Sequence, residues 1–151
     1  MAGLTIVGLG GSLASVSKSH AALRTALEGA ADAGVETRLL DLRELNLPMY
    51  NPEDDKPTDA ATCLIESCYE ADGLLWSSPM YQGTISGALK NALDWLHVLG
   101  QRDPPYLHDK VIGLISAAGG TQGRRGAVSL LRRAACPFHL FKGRSGSFMG
   151  G

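Results

Sequence analysis

The stretch LTIVGLGGSLASVSKS, residues 4–19, carries the clearest signal of the fold class. Residues 4–9 form an apolar run of strand length, and the glycines and serines after them predict a loop. Helical spacing follows, with Leu23 and Leu27 on one apolar face, and Gly34 marks the end of that helix. A strand that leads into a helix through a glycine-rich turn is the building unit of parallel α/β sheets.

The same alternation of strand and helix continues along the chain. Further strands are predicted at residues 35–41, 73–77 and 110–117, and further helices at 60–69, 86–99 and 127–135, with loops at 46–57 and 100–109. The strands are nearly continuous in apolar character, which favours a parallel sheet covered by helices on both faces. Ser86 is the expected N-cap of the helix that follows it.

The overall charge of −1 hides two segments of opposite sign. Residues 1–109 contain 7 Lys and Arg against all 15 Asp and Glu, whereas residues 110–151 contain 7 Lys and Arg and no acidic residue. No aromatic-rich basic surface or known motif accompanies the basic segment, so we do not expect a nucleic-acid partner.

The sequence also argues against a membrane, a secretory or a metal-binding class. No stretch approaches the roughly 20 apolar residues that span a bilayer, and the start lacks the basic region of a secretory signal. The three cysteines have no CxxC spacing and the four histidines form no close pair, so we expect no metal site. A soluble cytoplasmic protein is therefore expected.

Three unusual loops follow the ends of predicted strands. In a parallel α/β sheet, ligands bind beyond the carboxyl ends of the strands, where these loops would meet. The loop after residue 9 is rich in serine and leads into a helix N-terminus, which suits a phosphate, although the dinucleotide glycine pattern is met only in part. The loop at residues 78–87 offers a rigid wall for a flat ring, and the loop at residues 116–123 offers small residues around its edge. Each loop taken alone also fits an ordinary turn.

Three quoted segments resemble the NAD(P)H-dependent FMN reductase family. They are GGSLASVSKS (10–19), SPMYQGTISGALKNALDWL (78–96) and VIGLISAAGGTQG (111–123), and the resemblance covers residues 4–135. It implies a flavodoxin-like three-layer fold that binds FMN and uses NAD(P)H as co-substrate. The flavin carries the chemistry in such proteins, so no catalytic side chain is assigned.

Carried over residue by residue, the resemblance implies a cofactor site built from all three loops. The phosphate would be held by Ser12, Ser17 and Ser19. The ring and ribityl chain would be lined by Pro79, Met80, Tyr81, Gln82, Gly83, Ser116, Ala117, Gly119 and Gly120. Family members often have Arg at the position of Ala14, Glu or a similar residue at Met80, and Asn at Gln82.

Several functions fit this family pattern. The leading prediction is an NAD(P)H-dependent FMN reductase that passes electrons to a small-molecule acceptor, and the nearest alternative is a quinone or azo-compound reductase on the same fold. A flavodoxin-type electron carrier is less favoured because such carriers are usually strongly acidic. An inactive relative also remains an alternative. The resemblance further implies a homodimer or homotetramer that associates through the helix at Leu89–Leu96 with Trp95, which would bury the second apolar face of that helix.

The C-terminal segment departs from the family pattern. Residues 138–141 are a poor candidate for the fifth edge strand, which we therefore expect to be missing or atypical, and residues 142–151 have the composition of a disordered tail. The predicted organisation is one flavodoxin-like domain over residues 1–141 followed by this tail.

Overall fold

A computed structural model describes residues 3–54 and 56–118 of the chain. The strands are β1 (Thr5–Gly10), β2 (Glu36–Asp41), β3 (Gly73–Tyr81), β4 (Thr84–Ile85) and β5 (Val111–Ala117). The helices are α1 (Lys18–Asp32), α2 (Leu42–Leu45), α3 (Asp59–Glu70) and α4 (Gly87–Trp95), and a 3-10 helix covers Leu96–Gln101.

Four of the described strands form a parallel sheet in the order β2–β1–β3–β5. This confirms the predicted parallel α/β architecture, and the order is that of the first four strands of a flavodoxin-like sheet. Because the strands are parallel, the loops that follow β1, β3 and β5 all lie at one edge of the sheet. The predicted helix at 127–135, the segment 138–141 and the tail 142–151 lie outside the described residues.

Strand β1 shows how the two faces of the sheet are covered. Val7 and Leu9 are fully buried on the face that holds the large apolar cluster with α3 and α4. On the opposite face, α1 packs closely because Gly8 has no side chain. A Cβ at Gly8 would lie 2.8 Å from Leu27 Cδ1 and 3.0 Å from Leu23 Cδ1.

The structure corrects the predicted elements at three places. The short helix α2 was not predicted; Asp41 is its N-cap and accepts a hydrogen bond from the Arg43 backbone nitrogen at 2.9 Å. The helix predicted at 86–99 is α-helical only to Trp95 and continues as the 3-10 helix. Its predicted cap is confirmed, because the Ser86 hydroxyl accepts a hydrogen bond from the Leu89 backbone nitrogen at 3.1 Å.

The third correction concerns the loop predicted at 78–87. Strand β3 continues to Tyr81 and returns through β4 as an antiparallel hairpin, with Gln82 and Gly83 as the two turn residues. Both have positive φ, 49° and 79°, as in the type I′ turn that matches the twist of a two-residue hairpin. This segment is therefore a rigid ribbon at the carboxyl edge.

No helix in the described part of the chain is both long enough and apolar enough to cross a membrane.

Candidate functional site

A cleft of about 180 Å³ opens at the carboxyl edge of the sheet. Residues from three separate segments line it: Ser12, Ala14, Val16, Ser17, Lys18, Ser19, Pro79, Tyr81, Ala117 and Ala118. The structure thus brings together the serine loop, the hairpin and the described start of the third predicted loop, Ala117 and Ala118.

The first wall is the serine loop, residues 11–19. Ser17 is the N-cap of α1, and its hydroxyl accepts a hydrogen bond from the His20 backbone nitrogen at 3.3 Å. The Ser17 and Ser19 hydroxyl oxygens are 2.9 Å apart, and Ser12 Oγ accepts a hydrogen bond from the Ala14 backbone nitrogen at 3.3 Å. All three serines line the cleft at the N-terminus of a 15-residue helix, where backbone N–H groups and the helix dipole favour an anion.

Lys18 is a cleft residue that the sequence prediction missed. It is the first residue of α1, lies between Ser17 and Ser19, and lines the cleft. It supplies a positive charge at this end of the cleft, where family members often carry Arg at the position of Ala14. Its place directly after the N-cap serine is the sequence signal that could have identified it.

The hairpin supplies the second wall. Pro79 and Tyr81 line the cleft, and the Tyr81 side chain is 56% exposed, so its ring is accessible at the cleft mouth. The other predicted residues of this segment, Met80, Gln82 and Gly83, belong to the same hairpin but do not line the cleft.

The third wall comes from the end of β5. Ala117 and Ala118 line the cleft, and Ala117 is paired with Pro79 across the sheet. Ser116 is paired with Ser78 one step deeper and does not line the cleft. Gly119 and Gly120 lie outside the described residues.

A second groove of about 370 Å³ lies beside the serine loop. Its lining residues are Leu13, Leu42, Arg43, Asn46, Leu47, Met49, Gly87, Ala88 and Asn91. The segment that follows α2 is held against α4 on one side of this groove. Asn91 accepts a hydrogen bond from the Tyr50 nitrogen at 2.8 Å, and both Asn91 and Trp95 donate to the Pro48 carbonyl at 2.9 Å.

Three residues of the helix on which a dimer face is predicted lie in the core of this chain. Leu89, Trp95 and Leu96 are buried in the core of this chain, with at most 2% exposure. Their apolar spacing therefore reflects packing within the chain, because the helix is covered by α3 and by the segment around Tyr50.

The parallel sheet and the cleft at its carboxyl edge define a flavodoxin-like α/β protein. Residues 4–150 match the family described as NADPH-dependent FMN reductase, and the chain belongs to that family. The match extends beyond residue 135, where the resemblance carried by the motifs ends.

Two relatives and one solved structure illustrate the similarity. The chain is 33% identical over 126 residues to a probable NADPH:quinone oxidoreductase 2 of Oryza sativa subsp. japonica, covering 81% of this chain and 60% of the relative. It is 32% identical over 134 residues to the NAD(P)H-dependent FMN reductase PA1204 of Pseudomonas aeruginosa, covering 86% and 68%. The structure of FerB, a flavoenzyme NAD(P)H:(acceptor) oxidoreductase from Paracoccus denitrificans, superposes with a TM-score of 0.70 at 23% identity, over 87% of this chain and 70% of FerB. The chain thus spans less than two thirds of the rice relative's length.

Proposed function

We propose that this chain binds FMN in the cleft at the carboxyl edge and serves as an NAD(P)H-dependent FMN reductase. The observation that carries the proposal is the cleft itself, which joins a serine-rich helix N-terminus to an accessible aromatic wall in a member of this family. One end suits a phosphate and the other a flat ring, and these are the two ends of FMN.

The phosphate end of the cleft fits an anion without a large net charge. The hydroxyls of Ser12, Ser17 and Ser19 supply donors, and the first turn of α1 supplies N–H groups that have no acceptor within the helix. Lys18 adds one cation. Hydrogen bonds from such groups to a charged phosphate contribute about 1.5–3 kcal/mol each.

The ring end fits a planar group between the hairpin and the end of β5. Pro79 and Tyr81 form one wall, and the small side chain of Ala117 leaves room beside them. Met80, Gln82 and Gly83 on the hairpin, together with Ser116, Gly119 and Gly120 after β5, stay predicted contacts of the isoalloxazine and ribityl chain.

FMN, when bound, supplies the hydride and electron transfer between the nicotinamide and the acceptor. The task of this chain is to hold the ring against the hairpin and to keep one face of it open at the cleft mouth. Backbone donors near Gln82 and Gly83 would favour the negatively charged reduced ring. No side chain is assigned as acid, base or nucleophile.

A small molecule is proposed as the final electron acceptor. A quinone is supported by the name of the rice relative, and an azo compound remains an alternative on the same fold. A carrier role without NAD(P)H oxidation is less favoured, since the net charge is only −1.

We also propose that the protein forms a homodimer or homotetramer and works in the cytoplasm. The second groove supports self-association better than the buried face of α4 does. Its lining includes Leu13 and Met49, which are 59% and 80% exposed, and exposed apolar groups around a groove are typical of protein contacts.

The test combines flavin binding with nicotinamide oxidation. The purified chain should show the visible spectrum of bound FMN and should oxidise NADPH or NADH when FMN is present. Replacing both phosphate-end hydroxyls, Ser12→Ala with Ser17→Ala, should weaken FMN binding by about 3 kcal/mol or more, because two such hydrogen bonds are removed.

Thr25→Ala is the matched control for this double variant. Thr25 lies on an exposed face of the same helix, and its hydroxyl donates to the carbonyl of Ala21 at 3.2 Å. FMN affinity should be unchanged in this variant. A chain that binds no flavin and oxidises neither nucleotide would refute the proposed function.

A further inference from the structure

Both ends of the serine loop are tied to the β3–α4 segment by serine hydroxyls. At the first end, Ser86 Oγ donates to the Gly11 carbonyl at 2.5 Å. At the other end, Ser77 Oγ donates to the Ser19 carbonyl at 2.7 Å. One hydroxyl from β3 and one from the N-cap of α4 therefore hold the two ends of the serine loop.

These ties are buried and joined to further hydrogen bonds. Ser77 and Ser86 are 0% and 3% exposed. The Ser86 backbone nitrogen donates to Ser78 Oγ at 2.9 Å, and the Gly11 nitrogen donates to the Ser77 carbonyl at 2.8 Å. A buried hydrogen bond of this kind contributes about 0.5–1.5 kcal/mol, so the two ties favour a single arrangement of the two segments.

The position of the ties gives them a specific consequence. Gly10 and Ser77 are the last paired residues of β1 and β3, and the segments that follow them, the serine loop and the hairpin, supply two walls of the cleft. Just beyond this pair, one backbone hydrogen bond still joins the two segments, from the Gly11 nitrogen to the Ser77 carbonyl. The hydroxyls of Ser77 and Ser86 add a side-chain tie at each end of the serine loop.

We infer that Ser77 and Ser86 are positioning residues that set the distance between the phosphate end and the ring end of the cleft, and thereby its preference for FMN over riboflavin. The inference rests on the proposed function. A ligand held at both ends requires the correct spacing, whereas riboflavin lacks the phosphate and depends on the ring end alone.

The test measures dissociation constants for FMN and for riboflavin, by flavin fluorescence, in the wild-type chain and in Ser77→Ala and Ser86→Ala. Each variant should bind FMN about tenfold more weakly, as expected when a buried hydrogen bond is lost. Riboflavin binding should change by less than about twofold, because riboflavin makes no contact at the phosphate end, so the FMN preference ratio (the riboflavin Kd divided by the FMN Kd) falls about fivefold or more. Ser86→Thr keeps the hydroxyl and should restore the ratio.

A second helix cap separates positioning from stability. Ser86 also caps α4, so Ser86→Ala removes a cap as well as a tie. Thr58 caps α3 in the same manner by accepting from the Ala61 nitrogen at 3.3 Å. Thr58→Ala should lower the midpoint of thermal unfolding and leave the preference for FMN over riboflavin unchanged.

The outcomes distinguish the inference from the proposed function. Two outcomes would overturn the inference while the proposed function stands, provided that the wild-type chain binds FMN. In the first, both alanine variants keep the wild-type preference for FMN over riboflavin; in the second, they bind both flavins more weakly by the same factor. If the wild-type chain binds neither flavin, the proposed function fails first. A fall in the ratio confined to the two serine variants supports the inference.

Discussion

The two edges of the sheet are held together by different kinds of interaction. At the carboxyl edge, uncharged serine hydroxyls that are fully buried bind backbone carbonyls. At the amino edge, charged side chains that remain partly exposed connect the end of α3 to the segment before β5. The carboxyl edge contains the cleft, and none of the predicted site residues that the structure describes lies at the amino edge.

The amino edge is organised around Tyr69. Arg102 forms two hydrogen bonds with the carboxylate of Glu66, one of them at 2.8 Å, and its guanidinium lies 4.6 Å from the centre of the Tyr69 ring. The Lys110 ammonium donates to the carbonyl of Tyr69 at 2.8 Å and to that of Ala71. These carbonyls lie at the C-terminus of α3, where a cation is favoured by the helix dipole.

The difference shows how a protein can order an anion site without neutralising it. A carboxylate inside the cleft would compete with a bound phosphate for its hydrogen-bond donors, and the carboxylate of Asp41, at the end of β2, instead lies 3.6 Å from His20 Nδ1 and does not line the cleft. Hydroxyl ties hold the loop in place without adding charge, so the N-terminus of α1 keeps its preference for an anion. Among the described residues that line the cleft, Lys18 carries the single formal charge.

The largest expected effect comes from filling the space at Gly11. A Cβ there would lie 2.7 Å from the Ser77 carbonyl oxygen and 2.9 Å from Leu89 Cβ. Because the nearest neighbour is backbone, it cannot move aside cheaply. We expect Gly11→Ala to lower the free energy of unfolding by about 3 kcal/mol, measured by urea denaturation, and to weaken FMN binding.

Gly29→Ala is the control for this substitution. Gly29 lies within α1, and a Cβ added there would meet no atom within 4 Å. Alanine is the better helix former, so this variant should be more stable by about 0.5–1 kcal/mol. Equal stability of the two variants would contradict the assigned packing at Gly11.

A smaller effect is expected at the amino edge. Arg102→Ala removes the hydrogen bonds to Glu66 and the contact with the Tyr69 ring, and should cost about 1 kcal/mol of unfolding free energy. FMN affinity should stay the same, because Arg102 lies at the edge opposite the cleft. A clear loss of FMN binding in this variant would show that the two edges are coupled.

The smallest effect concerns pH. The hydrogen bonds from Arg102 hold the pKa of Glu66 below its usual value of 4.5. The pair therefore stabilises the fold fully above that value, and its contribution is lost as the pH falls through the lowered pKa. Since both side chains are partly exposed, the loss between neutral and strongly acidic pH should be less than about 1 kcal/mol.

Comparing wild type with Arg102→Ala isolates this contribution from other carboxylates. The stability difference between the two proteins, from urea denaturation, should be larger at neutral pH than at a pH below the lowered pKa. A difference that grows on acidification would contradict the sign.

Much of this architecture could be predicted because its signals are local. The apolar runs predict β1, β2, β3 and β5, and a serine directly before a helical pattern predicts the cap at Ser86. The hairpin is not predicted, because Pro79 and Gly83 are typical of loops. The dipeptide Gln82-Gly83, which stands between Met80-Tyr81 and Thr84-Ile85, is the available sequence signal for a two-residue turn.

The cleft could be predicted only in outline. Parallel strands bring their following loops to one edge, so its location follows from the order of elements. Its lining depends on which side chains face inward, and the predicted Ser116 and Met80 lie along strands without reaching it.

Residue order alone thus established the parallel sheet and the family, because hydrophobic period and motif spacing act over short stretches of chain. The bonds from Ser77 to Ser19 and from Ser86 to Gly11 join residues 58 and 75 positions apart, and no local pattern distinguishes them from ordinary capping serines. They exist because folding places β1 beside β3 in one register, which buries those carbonyls where a hydroxyl is the available donor.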